Sequence, residues 1–316
     1  MELVRGQHNL RPRHRGCVAT IGNFDGVHLG HQAVFRALKS RGDELGLPAA
    51  VILFEPQPLE FFRPLEAPPR LTRLREKLDR IRRCGIDRVV LLEFTRRLAQ
   101  MAPQAFIEEV LVRGLGVRHL FVGDDFRFGR GRAGDFEALR RAGARFGFGV
   151  ESLPTVALDG DRISSTRIRR ALAAGDLATA EACLGRPYQI FGRVSRGHQR
   201  GRTIGFPTLN VPLHRRVSPL QGVFAVTVQG LGEGDIPGVA NIGVRPTVAG
   251  DERPLLEVHL FDFDRQVYGA HVGVTFLRFI REERKFDSFD RLRRQIERDA
   301  AEARCFHGLE SAAAML

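Results

Sequence analysis

Four short apolar runs constrain this chain most: CVATIG at 17–22, AAVILFE at 49–55, DRVVLLEF at 87–94 and RHLFVG at 118–123. Their apolar residues are consecutive, as in strands buried on both faces, and do not alternate as a half-solvated strand requires. QAVFRALKS follows the first run with helical character, and Leu71, Leu74, Leu78 and Ile81 recur at helix spacing between the second and third. Buried strands separated by amphipathic helices make βαβ units, so the order predicts a parallel, Rossmann-like α/β sheet with helices on both faces. Such a sheet takes its ligand beyond the carboxyl ends of its strands.

The rhythm changes after ISSTRIRRALAAGDLATAEACLG (163–185), which reads as two short helices broken near Gly175. GVFAVTVQG, LLEVHLFDFD and HVGVTFLRFI then have strand character, with Gly and Pro between them. A compact antiparallel β-barrel is the economical reading. The end, DSFDRLRRQIERDAAEA, predicts a helix with Phe289, Leu292 and Ile296 on one face and Asp287 as its cap. The expected domains are therefore residues 1–185 and 186–316. At 316 residues and 43% apolar, the chain is long enough for two separate cores.

No apolar run approaches ~20 residues, so no membrane span is expected. The start MELVRGQHNLRPRHR lacks a signal peptide's apolar core, and the expected location is the cytoplasm. Cys17, Cys84, Cys183 and Cys305 form no CxxC pair and read as reduced structural thiols. The net charge of +12 favours anionic partners, but it comes from scattered arginines, with lysine only at Lys39, Lys77 and Lys285. With no Trp and two Tyr to stack on bases, no stable nucleic-acid partner is expected. Nothing in the pattern indicates an oligomeric state.

The stretch TIGNFDGVHLGHQ (20–32) joins the first strand to the first helix and carries the chemistry. A helix start offers free amides and a positive dipole end to an anion. Gly22, Gly26 and Gly30 allow close approach or positive φ. His28 and His31, three apart, can donate to phosphate oxygens that gain charge as a P–O bond breaks. A metal pair is disfavoured, because no third ligand lies nearby in sequence. ISSTRIR places Ser164, Ser165, Thr166 and Arg167 at a second helix start, suited to the β and γ phosphates of ATP. A GxxHxGH stretch after the first strand, with ISSTRIR downstream, resembles the nucleotidylyltransferase superfamily.

FEPQP, LTRLREKL, VGDDFRFGRGRAGDF, ISSTRIR, GRTIGFPTLN, GVANIGVRPTV, LLEVHLFDFD and ERKFDS occur in the order found in prokaryotic bifunctional riboflavin kinase/FMN adenylyltransferases, or FAD synthetases. The resemblance runs from about residue 15 to 307. It implies that the C-terminal domain phosphorylates riboflavin to FMN with ATP, and that the N-terminal domain adenylylates FMN with a second ATP to give FAD and pyrophosphate. Gly22, Asn23, Phe24, Gly26 and Gly30 would then serve ATP. In GFPTLN, Gly205 allows close approach, and the oxygens of Thr208 and Asn210 are hard ligands suited to Mg²⁺. The resemblance makes these two the kinase metal site and Glu257 the base for the riboflavin hydroxyl. Phe126 and Phe128, among Arg127, Arg130 and Arg132, offer stacking and charge to a phosphorylated ring system. The resemblance points there to flavin binding, with Asp125 near the ligand; the two rings also suit the core at a strand end.

The chain departs from its relatives at Gln57 (often His), Leu209 (usually Ala), Arg196, His198 and Val244 (often Thr). These bear on pocket and flap detail, and no proton-transfer role goes to Gln57. Two other readings stay open: a nucleotidylyltransferase for another acceptor with a non-catalytic barrel, and an RNA-binding protein using the +12 charge.

Overall fold

The four apolar runs become neighbouring strands, and their continuous hydrophobicity has a direct cause. In the computed structural model, which describes residues 1–123, 125–196, 206–246 and 252–309, the consecutive pairs Val51/Ile52 and Val89/Val90 are all 0% exposed. Val51 and Val89 enter one core, Ile52 and Val90 the other, on opposite faces of one sheet.

The chain divides by contacts into two units, Met1–Pro68 with Thr72–Ser164, and Pro69–Leu71 with Ser165–Leu316. The first contains β1 (Glu2–Arg5), β2 (Cys17–Ile21), α1 (Leu29–Leu45), β3 (Ala49–Glu55), α2 (Pro58–Phe62), α3 (Leu74–Arg83) and β4 (Arg88–Glu93). Then come α4 (Arg96–Ala99), α5 (Pro103–Phe106) running into a π-helical stretch (Ile107–Gly114), β5 (Val117–Val122), α6 (Phe136–Phe146), β6 (Gly149–Ser152) and a small hairpin of β7 (Ala157–Leu158) and β8 (Asp161–Arg162). The six-stranded sheet has the order β1-β4-β3-β2-β5-β6, parallel throughout. Successive strands leave β2 toward β3 and β4 on one side and continue from β5 to β6 on the other. The order reverses between β2 and β5, which makes their carboxyl ends the place for a ligand. Phe35 and Leu38 of α1 are fully buried and hold that helix on the sheet, each side chain stabilising by roughly 1.5–3 kcal/mol. Leu71, expected on α3, precedes that helix, which keeps Leu74, Leu78 and Ile81.

The second unit begins with α7 (Ser165–Ala173) and α8 (Leu177–Leu184), joined through Gly175 at φ 72°. A Cβ on Gly175 would lie 2.8 Å from the Phe279 ring, so this helix pair packs tightly on the barrel. By contacts, then, residues 165–184 go with the barrel, although the change of sequence pattern falls near 185. The same unit grips the strap 69–71: Arg169 Nε donates to Pro69 O at 2.7 Å, Arg215 Nη1 to Arg70 O at 3.0 Å and Tyr188 Oη to Leu71 O at 2.9 Å.

The barrel strands are β9 (Gln189–Arg193), β10 (Leu209–Pro212), β11 (Gly222–Gln229), β12 (Ile236–Pro246), β13 (Glu252–Leu260) and β14 (His271–Arg281), in the antiparallel order β10-β13-β12-β11-β14-β9. Ser195 N donates to Asn210 O at 2.8 Å and brings the two edge strands together, so the barrel is nearly closed. Phe224, Val226, Leu256, Val258 and Phe276 fill its interior. Val223, Ala225 and Val239 on the outer face pack against Ala300 and Ala303 of α9 (Phe289–Phe306). The cap of α9 is Ser288 and not the expected Asp287: Ser288 Oγ accepts from Arg291 N at 3.3 Å, whereas Asp287, one residue too early, pairs with the Arg291 side chain at 3.1 Å. All four cysteines are free, and burial raises the Cys17 thiol to about 12. Among the described residues, no helix is long and apolar enough to cross a membrane.

Candidate active sites

The loop after β2 approaches α1 through a strained turn, with Phe24 at φ 46°, Gly26 at 86° and Val27 at 45°. Left-handed backbone at Phe24 and Val27 costs on the order of 1–3 kcal/mol each, and persists only where the surroundings over-determine it. His28 ends the turn as the N-cap of α1, its Nδ1 accepting from His31 N at 3.3 Å. An accepting Nδ1 carries no proton, so the neutral ring keeps its proton on Nε2. His31 lies in the first turn of the helix and not in the loop, a correction to the expectation that both histidines sit on the turn. The two rings stack with centroids 3.5 Å apart at 20°. Burial above all, then the charges of His28 and Lys77, holds His31 well below the ordinary histidine range. Its Nδ1 is buried and has no hydrogen-bond partner among the described residues.

The glycines here leave room for side chains. A Cβ on Gly30 would come within 3.2 Å of the His28 ring and 3.7 Å of Ile163 O, and one on Gly22 within 3.0 Å of the Phe24 ring. Asn23 is exposed. Phe24, expected at the nucleotide, is 6% exposed; its ring packs edge-on against His31 at 5.1 Å and against Phe35 at 4.8 Å, so its side chain backs the histidine rather than lining a pocket. Ile163, the first residue of ISSTRIR, thus stands beside Gly30. Ser164 precedes α7, and Ser165, Thr166 and Arg167 form its first turn in the second unit.

The loop after β5 carries the expected aromatics. Phe126 and Phe128 stack at 5.6 Å and 16°, but Phe128 is 7% exposed and packs on Phe106, so only Phe126 offers partly exposed ring surface. Asp125 is exposed and pairs with Arg162 at 3.2 Å. A feature not foreseen lies at the ends of β3 and β4, where Phe61 and Phe62 meet Phe94 edge-on at 5.4 and 5.6 Å, with Phe62 59% exposed. The FF pair in PLEFFRP was its only signal, and FEPQP drew attention to Gln57 instead. Gln57 precedes α2, its N–H donating to Glu60 Oε2 at 2.9 Å.

In the barrel, strand register assembles the second site. Asn210 of β10 stands opposite Glu257 of β13, which stands opposite Asn241 of β12. Residues directly across antiparallel ladders project to one face, so these three side chains share it. Glu257 and Asn241 line a cavity of about 390 Å³ that also takes in Thr208, His259, Arg281 and, from α9, Phe289, Leu292 and Ile296. Thr208 also borders a smaller cavity, about 90 Å³, with Pro207, Leu209, Arg265 and Tyr268. Thr208 therefore stands between two cavities. Asn210 is 7% exposed, its Nδ2 donating to Thr208 O at 3.4 Å. His259 Nδ1 donates to Pro207 O at 2.9 Å and so holds the backbone next to Thr208; burial lowers the His259 pKa. Arg196 lies over the Tyr268 ring at 5.6 Å. Gly205, His198 and the side chain of Val244 lie outside the described residues.

The histidine pair at a parallel-sheet switch point and the carboxylate–amide row on the barrel are two separate candidate sites. Family models agree: FAD synthetase matches residues 10–167 and riboflavin kinase residues 184–307. The bifunctional riboflavin kinase/FMN adenylyltransferase of Escherichia coli K12 is 55% identical over 98% of this chain and 99% of its own. That of Pseudomonas fluorescens is 54% identical over 96% and 97%. The chain belongs to the bifunctional riboflavin kinase/FMN adenylyltransferases. It phosphorylates riboflavin to FMN and adenylylates FMN to FAD, with ATP, riboflavin and FMN as substrates. Both activities imply a divalent metal. A solved structure titled a macrolide-efflux protein from Streptococcus pneumoniae has the same fold, with a TM-score of 0.80 and 31% identity over 95% of this chain and 97% of that one.

Proposed function

We propose that residues 1–185 carry the adenylyl transfer and residues 186–316 the kinase reaction, in a cytoplasmic enzyme using Mg²⁺. In the barrel, Glu257 accepts the proton of the riboflavin hydroxyl as that oxygen attacks the γ-phosphate of ATP. The observation that carries this reading is the register placing Asn210 opposite Glu257, with Thr208 shared between a larger cavity for the flavin and a smaller one beside it. Thr208 and Asn210 would hold Mg²⁺; their hard oxygens, next to a carboxylate, fit a cation that takes its remaining ligands from water and phosphates. When bound, the ion neutralises charge between the transferred and leaving phosphates. The apolar face of α9 and Val223 exclude water from the flavin side.

In the first domain, His28 donates from Nε2, with the neutral His31 stacked behind it, to the phosphate that is transferred to FMN. Gly22, Asn23, Phe24, Gly26 and Gly30 shape the ATP side of this turn, Phe24 through the packing of its ring. Ser164, Ser165, Thr166 and Arg167 bind the departing phosphates through hydroxyls, helix-start amides and a guanidinium. Asp125 and Phe126 serve the flavin of FMN, with Phe128 buried behind Phe126.

Separating the two reactions tests the assignment. Glu257→Gln should lower riboflavin phosphorylation by ~10²–10⁴ and leave FAD formation from supplied FMN intact. Replacing both His28 and His31 with Ala should do the reverse, FMN accumulating while FAD formation falls by at least ~10²–10³. Undiminished activity in either case removes the corresponding role.

A further inference from the structure

Thr72, the second residue of LTRLREKL (71–78), has no role in either site described above, yet it is bonded to the turn that leads into HLGH. Thr72 N donates to Asp25 Oδ1 at 2.9 Å, and Thr72 Oγ1 donates to the same oxygen at 3.0 Å. Gly26 N donates to Thr72 Oγ1 at 3.0 Å. These groups are buried, Asp25 at 3% exposure and Thr72 at 6%, so water does not compete for the bonds. Asp25 and Gly26 lie among the left-handed residues Phe24, Gly26 and Val27, and Val27 directly precedes His28.

We propose that Thr72 is a positioning residue for adenylyl transfer, clamping Asp25 and Gly26 so that the turn keeps the backbone that aims His28. The hydroxyl is suited to the task because it donates and accepts at once, joining the carboxylate to the neighbouring amide. Left-handed backbone at Phe24 and Val27 relaxes unless it is held, and a turn that relaxes moves the N-cap ring with it. The clamp also joins the turn to the start of α3, whose Lys77, 1% exposed, is near enough for its charge to act on His31. The inference rests on the assignment of adenylyl transfer to the histidine pair.

Thr72→Val preserves shape and removes both hydroxyl bonds. In the full-length enzyme, kcat for FAD formation from FMN should fall ~10–10²-fold, as expected of a small misplacement of a reacting group, with KM for FMN and ATP within about threefold of wild type. Thr72→Ser, which keeps the hydroxyl, should restore most of the rate, and riboflavin phosphorylation should be normal in both. A wild-type kcat in Thr72→Val overturns the proposal, as does a loss confined to KM, or Thr72→Ser as slow as Thr72→Val. Parallel loss of riboflavin phosphorylation also overturns it, since that marks general damage. If Thr72→Val is insoluble, Asp25→Asn takes its place against Thr72→Ser: slower turnover in the Asn variant is expected, and equal rates sink the clamp. Full FAD synthesis by the double histidine variant would instead overturn the underlying assignment, so the two failures are distinguishable.

Discussion

Asp299 should anchor the wall of the larger barrel cavity more strongly than any exposed ion pair on the same helix. Its carboxylate, 6% exposed, accepts from Arg281 Nε at 2.9 Å and Nη2 at 2.7 Å, and from Gln295 Nε2 at 2.8 Å, tying α9 to β14. Asp299→Ala leaves the Arg281 guanidinium, 20% exposed, with the Glu282 carbonyl and the face of Phe286. Removing one partner of a buried pair costs about 3–5 kcal/mol, and the residual exposure of Arg281 favours the lower end, about 3. For a unit of this size roughly 2–4 °C of Tm is lost per kcal/mol, so calorimetry of the full chain should show a drop of about 6–12 °C. Asp287→Ala is the control. Its pair with Arg291 is 88% and 71% exposed, and its loss should move Tm by no more than about 1–2 °C. Because Phe289, Leu292 and Ile296 of the same helix line the cavity, Asp299→Ala should also raise KM for riboflavin, while FAD formation from FMN is preserved. If Asp299→Ala shifts Tm no more than Asp287→Ala, the bidentate pair is not holding the helix and the reasoning fails.

Three further outcomes follow from the same geometry. His31 is held neutral in the fold well below its ordinary value of 6.5, so the unfolded chain binds a proton the folded chain does not; stability should fall as pH drops through about 6.5, and a pH-resolved urea titration of His31→Gln should show a flatter slope. Gly30→Ala places a Cβ 3.2 Å from the His28 ring, which is already fixed by its bond to His31 N, so FAD formation should slow about tenfold with riboflavin phosphorylation unchanged; an unaltered rate would show that His28 can yield without cost. Residues 186–316 expressed alone should fold and phosphorylate riboflavin; failure of that fragment alongside success of 165–316 would show that the kinase needs α7 and α8, whose joint is packed on Phe279.

The parallel sheet was legible because burial on both faces demands consecutive apolar residues, and runs such as AAVILFE and DRVVLLEF have no other economical use. β1 and β6 were not, since they are four-residue strands at the sheet edges whose composition reflects partial exposure. HLGH and ISSTRIR were legible as helix starts, whose histidines or hydroxyls offer local donors whatever the rest of the fold does. Local pattern did not reveal that His28 caps α1 while His31 stacks on it, or that Phe24 turns inward, and it left Phe128 open between the flavin and the core. Those outcomes depend on φ angles at single residues and on neighbours such as Phe35 and Phe106. The barrel site shows the division most clearly. Asn210 and Glu257 are 47 residues apart, and Thr72 and Asp25 are likewise 47 apart. A one-residue slip in β13 would send Glu257 to the opposite face. Composition and spacing therefore determined which chemistries this chain carries. Tertiary register and backbone strain decided which side chains meet, because hydrogen bonds and shared faces depend on distance in space and not along the chain.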